Sequence, residues 1–217
     1  MLVKDYMTRH PLMADVNMTI LDAQRYMGEN RIRHLPIVGD GKRLLGLVTT
    51  DTLLVDPSRI GSLDVWEIAR YLSRLTVEQA MIKCKEVITI GPDTTIENAA
   101  CVMVEKKIGC LPVLEEDILV GIITETDMMA HLIKMLGAPE TGTRVTVRLP
   151  NVKGELAKLV AAIAAQGWGI FSLGGAYAPR EPEKWDAVVK IDDALREQVV
   201  AALSKVEGQH IIDVREV

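Results

Sequence analysis

Cysteine is scarce in this chain. Cys84, Cys101 and Cys110 are the whole complement. The count is odd and no C-x-x-C occurs, which argues against a disulfide framework and against a structural zinc site. Cys101 falls inside an apolar helical pattern and is expected to be a small buried hydrophobe. No apolar run is long enough to span a bilayer. The opening "MLVKDYMTRHPLM" has no apolar segment after its Lys of the kind a secretory leader needs. The expectation is a soluble, cytoplasmic protein with no membrane partner. An excess of positive charge is also missing: the net charge is -5, the pI is near 5.5 and the basic residues are scattered, so no nucleic-acid partner is expected. Walker, Rossmann and Gly-x-Ser-x-Gly patterns are absent, and His10, His131 and His210 have no ligand spacing. Neither a catalytic group nor a metal site is therefore expected, and an enzyme is the weaker reading.

What the chain does have is a core and a repetition. Of its 217 residues 48% are hydrophobic, enough for one or two domains. "RIRHLPIVGDGKRLLGLVTTD" at 31–51 is written again at 107–127 as "KIGCLPVLEEDILVGIITETD". Ile32 matches Ile108, Leu35 matches Leu111 and Pro36 matches Pro112, an offset of 76 (108 minus 32). Gly46 matches Gly121 and Thr49 matches Thr124, one residue less, because "GDGKR" is longer than "EED" and hairpin loops tolerate insertion. Upstream, Ile20, Ala23 and Met27 match Ile96, Ala99 and Met103, and "VKDYM" faces "VEQAM". Two units result, roughly 1–54 and 75–130.

Each unit predicts β-α-β-β-α. In the second, "EVITI" reads as a short strand and Thr94 with Glu97 as a capping box opening a helix. Ile96, Ala99, Ala100 and Met103 line one face of that helix. "CLPVL" and "LVGIIT" form a hairpin, and "ETDMMAHLIKML" is a helix stopped by Gly137 and Pro139. The first unit repeats this order with "LMAD", "TILDAQRYMGE", "HLPIV", "LLGLVT" and "TDTLL". Between the units, "SLDVWEIARYLSRL" predicts an amphipathic helix with Val65, Ile68, Leu72 and Leu75 in a stripe.

After "GAPETGT" the pattern changes. "RVTVRLP" alternates like a strand. Gly154 opens a helix with Leu156, Leu159, Val160 and Ile163 on one side. "GIFSLGGAYA" and "WDAVVKID" are strands around a polar turn "PREPEK". "ALREQVVAALSKVEG" is a helix with Leu195, Val199, Leu203 and Val206 inward, and "HIIDVREV" is a last strand. The order β-α-β-β-α-β fits a ferredoxin-like fold.

A tandem of such units, with "xLPV" on one strand and a Gly–Thr–Asp phrase at the next strand–helix junction, resembles a pair of CBS domains (a Bateman module). The third unit resembles an ACT domain. The whole layout resembles the AcuB type of acetoin-utilisation protein. The expected fold is α/β: 1–60 a first CBS repeat, 61–76 a connecting helix, 77–137 a second repeat, 138–143 a linker and 144–217 an ACT-like domain.

The resemblance implies an adenine nucleotide (AMP, ADP or ATP) or another adenosyl ligand, S-adenosylmethionine or NAD, as a regulatory ligand in a cleft between repeats. It also implies a homodimer, and an amino acid at the ACT-like domain. That family's Asp-x-x-Gly loop is "NVKGEL" here, with Asn151 in the Asp position. Carried over residue by residue, the nucleotide site is Thr124, Thr126, Asp127, Ile88, Gly109, Cys110 and Pro112 from the second unit, with Arg33, His34, Pro36, Thr49 and Asp51 from the first. The chemistry agrees: a helix N-terminus and a Thr hydroxyl suit phosphate, a carboxylate accepts from a ribose diol, and Arg grips phosphate in two-pronged geometry. Thr124 and Asp127 would also serve as plain helix caps, and Arg33 as a solvated helix-end cation. The first unit departs, since Thr52 rather than Asp51 matches Asp127. Gly109 would admit a ligand ring close to the backbone. Two functions stand: a regulatory nucleotide sensor, or a ligand-free structural dimerisation protein.

Overall fold

Two threonines set the frame of the repeats. The helices α2 (Ile20–Glu29) and α4 (Ile96–Lys106) begin at Thr19 and Thr95, whose hydroxyls accept from the backbone N–H of Asp22 and Asn98. In this computed structural model, which describes residues 1–54 and 74–217, the cap is therefore Thr95 and not Thr94. Thr94 is occupied otherwise: its N–H donates to Gly91 and its carbonyl accepts from Val3. The buried residues are Ile20, Ala23 and Met27 in one helix and Ile96, Ala99 and Met103 in the other, the stripes the spacing predicts. Cys101, two residues from Met103, is exposed and not buried. Residues 61–73 of the expected connecting helix lie outside the described residues.

Each helix leads into a hairpin. β2 (His34–Val38) pairs with β3 (Leu44–Thr49), and β5 (Cys110–Glu115) with β6 (Ile118–Thr124). His34 faces Thr49 as Cys110 faces Thr124, and both hairpins shift register at matched places, Ile37/Val38 and Val113/Leu114. The expected strands "LMAD" and "EVITI" shrink to single parallel bridges, Ala14 to Ile37 and Ile90 to Val113. Their N–H groups donate to Pro36 and Pro112.

The third strand of each sheet comes from the other repeat. β1 (Thr8–Arg9) pairs with β6, and β4 (Ile82–Lys83) with β3. The short helices before them, α1 (Val3–Tyr6) and α3 (Val77–Ala80), cross too. Val3 is fully buried in the core around Leu111 and Ile123, and Val77 in the core around Leu35 and Val48. Each burial is worth about 1.5–3 kcal/mol. The matched Gly46 and Gly121 follow from this exchange, because a Cβ there would collide with the incoming Met81 or Met7 side chain. A small core of Leu47, Cys110 and Ile122 joins the two hairpins. CBS-type repeats thus interlock rather than stand side by side.

The structure divides into two compact units, 1–128 and 129–217, and α5 (Glu125–Met135) runs across the division. The second unit holds β7 (Thr143–Pro150), α6 (Glu155–Ala164), β8 (Ile170–Ala178), β9 (Glu181–Ile191), α7 (Arg196–Leu203) and β10 (His210–Glu216). Its antiparallel sheet has the order β10-β7-β9-β8, a ferredoxin-like arrangement. Val145, Val147, Leu149, Leu159, Ile163, Val199 and Leu203 form its core. Two local expectations fail. The turn after β8 is only Pro179–Arg180, with Arg180 left-handed (φ 67°), because Arg148 holds both Glu181 and Asp186 and draws that segment into β9. Leu195 is 65% exposed, since it sits at the helix cap and not on the inner face. Residues 137–142 are bonded into this unit: Lys190 Nζ donates to the carbonyls of Gly137 and Glu140, and Gly142 exchanges both backbone hydrogen bonds with Val217.

Candidate functional site

Among the described residues the interlocked repeats border a pair of cavities, lined from within residues 1–128, and the internal repeat relates them. The first, about 380 Å³, is lined by Thr49, Thr50 and Asp51 at the end of β3, by Val87 and Ile88, and by Lys107 to Cys110 entering β5. The second, about 340 Å³, is lined by Thr124, Thr126 and Asp127 at the end of β6, by Pro11 and Leu12, and by Arg31 to His34 entering β2. Both have the size of a small-molecule pocket. The segments match at the repeat offset, Thr49 with Thr124, Asp51 with Thr126, Val87 and Ile88 with Pro11 and Leu12, and Lys107 to Cys110 with Arg31 to His34. Each cavity draws its strand–helix junction from one repeat and its strand entry from the other.

That crossing changes the grouping of the site residues. Ile88, Gly109 and Cys110 share a cavity with Thr49 and Asp51, not with Thr124, Thr126 and Asp127. Arg33 and His34 border both. Pro36 and Pro112 line neither. Both are buried inside strands, and their carbonyls accept the single bridge from Ala14 or Ile90. Sequence reasoning missed Pro11, Leu12, Thr8, Lys107, Glu86 and Glu125. The offset contained the signal for several of them, since Leu12 matches Ile88 and Lys107 matches Arg31.

At the second junction Thr124 and Asp127 form a reciprocal cap. Thr124 N–H and Oγ1 donate to Asp127 Oδ2 at 2.8 and 2.7 Å, and Asp127 N–H donates back to Thr124 Oγ1 at 3.3 Å. Asp127 Oδ1 has no hydrogen-bond partner among the described residues and remains able to accept from a ligand. The first junction builds the same cap with Thr49 and Thr52, whose N–H groups donate to each other's Oγ1 at 3.0 and 3.2 Å. Asp51 is left exposed, one residue ahead of the cap.

Where the two cavities meet, the ring of His34 lies over Gly109. A Cβ at that position would come within 3.2 Å of Cε1 and Nε2, and within 3.4 Å of Glu125 Oε2. The ring that approaches this backbone is thus the protein's own. Burial, reinforced by the Arg33 guanidinium, pushes the His34 imidazole below its ordinary range against the pull of Glu125 and Asp51. It is a neutral hydrogen-bonding group near pH 7. Burial, with Glu125 adding to it, pushes the Cys110 thiol up to about 12, so Cys110 is a protonated wall rather than a nucleophile.

An interlocked pair of β-α-β-β-α repeats with a ligand-sized cavity at each strand–helix junction is the architecture of a tandem CBS module. The model of the CBS domain matches residues 3–56 and 77–134, and the chain belongs to that family. Its structure is similar to that of a Vibrio cholerae protein assigned by name to acetoin utilization (AcuB), with a TM-score of 0.54 and 34% identity over 64% of this chain and 95% of the other. Hypoxic response protein 1 of Mycobacterium tuberculosis is 30% identical over 114 residues, 52% of this chain and 73% of that protein. A homoserine O-acetyltransferase of Methanobrevibacter ruminantium is 32% identical over 132 residues, 60% of this chain and 24% of that enzyme. The chain spans about a quarter of the length of the curated relatives it matches first, and the likeness to these enzymes covers their CBS part only. Among the described residues no helix is long and apolar enough to cross a membrane.

Proposed function

We propose that this protein is a regulatory sensor that binds an adenine nucleotide in its CBS pair and carries no catalytic activity of its own. One observation supports the reading above the others: Arg31, Arg33, Thr124, Thr126 and Asp127 surround a single cavity of about 340 Å³. Arg31 and Arg33 hold the phosphate, with the N-terminus of α5 and the Thr126 hydroxyl. Asp127 Oδ1 accepts from the ribose diol, and Pro11, Leu12 and Ile122 receive the base. The first cavity is a second adenosyl site, framed by Thr49, Asp51, Ile88, Gly109 and Cys110. AMP, ADP, ATP, NAD and S-adenosylmethionine are the ligands to compare.

The C-terminal sheet unit acts as an ACT-like output or amino-acid-binding domain. The protein works in the cytoplasm as a homodimer, in the control of acetoin or related carbon metabolism. Its likeness to the Vibrio cholerae protein supports that last assignment. The test is a thermal scan of the full chain with each ligand, followed by calorimetry. A nucleotide at one hundred times its Kd should add about 2.7 kcal/mol to the stability. If none of the five raises the melting temperature, the sensor reading fails and the ligand-free dimerisation protein takes its place. The mutual capping of Thr124 and Asp127, complete without any ligand, is the observation that favours that alternative.

A further inference from the structure

Two cavities related by an internal repeat would be expected to take the same ligand, but their charges differ at matched positions. In the second cavity the strand entry brings Arg33 and His34, where the first has Gly109 and Cys110. At the junctions Thr126 in the second faces Asp51 in the first. Glu125 adds to this difference. It lies between Thr124 and Thr126 in sequence, yet it lines the first cavity while they line the second. With Glu86 the first cavity has three carboxylates against Lys107 and the shared Arg33, and the neutral His34. Among the described residues, the second has Arg31 and Arg33 against Asp127 alone. Arg33 borders both, and one guanidinium grips one phosphate at a time. Once a nucleotide in the second cavity engages it, the first retains Lys107 against Asp51, Glu86 and Glu125. A cleft focuses the field of its lining charges on what enters it, and this field repels a phosphate.

We propose that the two cavities select different adenosyl ligands: the second takes a nucleotide through its phosphate, and the first takes an adenosyl compound without phosphate whose 5′ substituent is neutral or cationic. This rests on the sensor reading above and adds a division of labour to it. The protein then reports two metabolite classes at once, a nucleotide phosphate and a phosphate-free adenosyl compound. The shared Arg33–His34 segment is the contact through which each occupant feels the other.

Calorimetry on the full-length protein tests this, with AMP as the anionic probe and S-adenosylmethionine as the cationic one. AMP should bind once per chain. S-adenosylmethionine should bind once to protein already saturated with AMP, with its affinity not reduced. The double variant Asp51→Asn, Glu125→Gln removes two charges from exposed side chains that make no hydrogen bond among the described residues. It should weaken S-adenosylmethionine at least tenfold and raise the AMP stoichiometry from one to two, while leaving the first AMP unchanged. Two AMP per parent chain with similar affinities would overturn the division and leave the sensor reading standing. Direct competition between the two probes for one site would do the same. Binding of neither probe to a folded parent would overturn both.

Discussion

The two cavities are one design carried out twice with different side chains. The scaffold tolerates that because it places backbone, not chemistry. Both junctions are capped reciprocally three residues apart, by Thr124 with Asp127 in one and by Thr49 with Thr52 in the other, so a carboxylate and a hydroxyl do the same structural work. Only the carboxylate has an oxygen left over for a ligand. Strand entry shows the same freedom: Arg33 and Gly109 occupy equivalent positions just ahead of β2 and β5, and nothing in the pairing of those strands requires either. What the arms require is different. Gly46 and Gly121 are alike because Met81 and Met7 press on both. Gly46 and Gly121, under packing constraint, stayed alike across the repeat, whereas several positions facing the cavities, Arg33 against Gly109 and Asp51 against Thr126, did not.

The sharpest test of this likeness is in the cores. Leu35 and Leu111 are matched and fully buried. Replacing either with Ala should cost about 2–5 kcal/mol, and because each core contains a segment from the other repeat, both variants should unfold residues 1–128 in one transition. Two separate transitions in a denaturation curve would show that the exchanged arms do not couple the repeats.

Next come the junction carboxylates. Asp127→Ala should weaken AMP by about 1.5–3 kcal/mol, the scale of hydrogen bonds to a charged group. It should also lower stability by about 1 kcal/mol through the lost cap. Asp51→Ala should do neither. Equal AMP affinity in parent and Asp127→Ala by calorimetry would reduce Asp127 to a cap. Arg33→Ala should cost AMP about 1 kcal/mol, as for a partly exposed ion pair. It should flatten the dependence of binding on salt, with a loss that grows from adenosine to AMP to ATP. An equal loss for adenosine and ATP would assign Arg33 to packing.

His34 gives a smaller effect. Its folded pKa lies below the ordinary 6.5, so below that value the unfolded chain binds more protons than the folded one. Its contribution to stability is therefore intact above about pH 6.5 and falls as the pH is lowered from there toward the folded value. Denaturant midpoints of parent and His34→Gln should converge across that window; parallel curves would place the ring outside the buried junction. The smallest change is expected from removing the C-terminal unit. Residues 1–137 should remain soluble and bind AMP with nearly the parental affinity, since both cavities lie within residues 1–128. Loss of binding would mean that the C-terminal unit completes the site.

The helices, hairpins and third-unit topology were legible because each has a local cause: a Thr cap, an apolar stripe at helical spacing, alternation along a strand. Asp127 was legible as a site candidate because it stands in a repeated phrase at a helix start. The misses differ in origin. "EVITI" has strand composition yet forms one bridge, Ile90 to Val113 on the β5 edge, while the ordered strand added to that sheet is β1 on the β6 edge, from far upstream. Thr95 displaced Thr94 as the cap because Val3 claims the Thr94 carbonyl. Cys101 was expected to be buried and is exposed, although its neighbours Ala99 and Met103 do face the core.

From its sequence alone this protein is determined to be a duplicated CBS repeat followed by a β-α-β-β-α-β unit. A repeat offset, caps and periodicity are properties of the chain itself and survive in one dimension. Which residues share a cavity is not such a property. The exchange of arms brings Gly109 and Cys110 to the junction of Thr49 and Asp51, and Arg31 and Arg33 to that of Thr124 and Asp127. Only the tertiary structure decided that grouping, and with it the sign of charge in each cavity, because electrostatic fields add over distances in space and not along the chain.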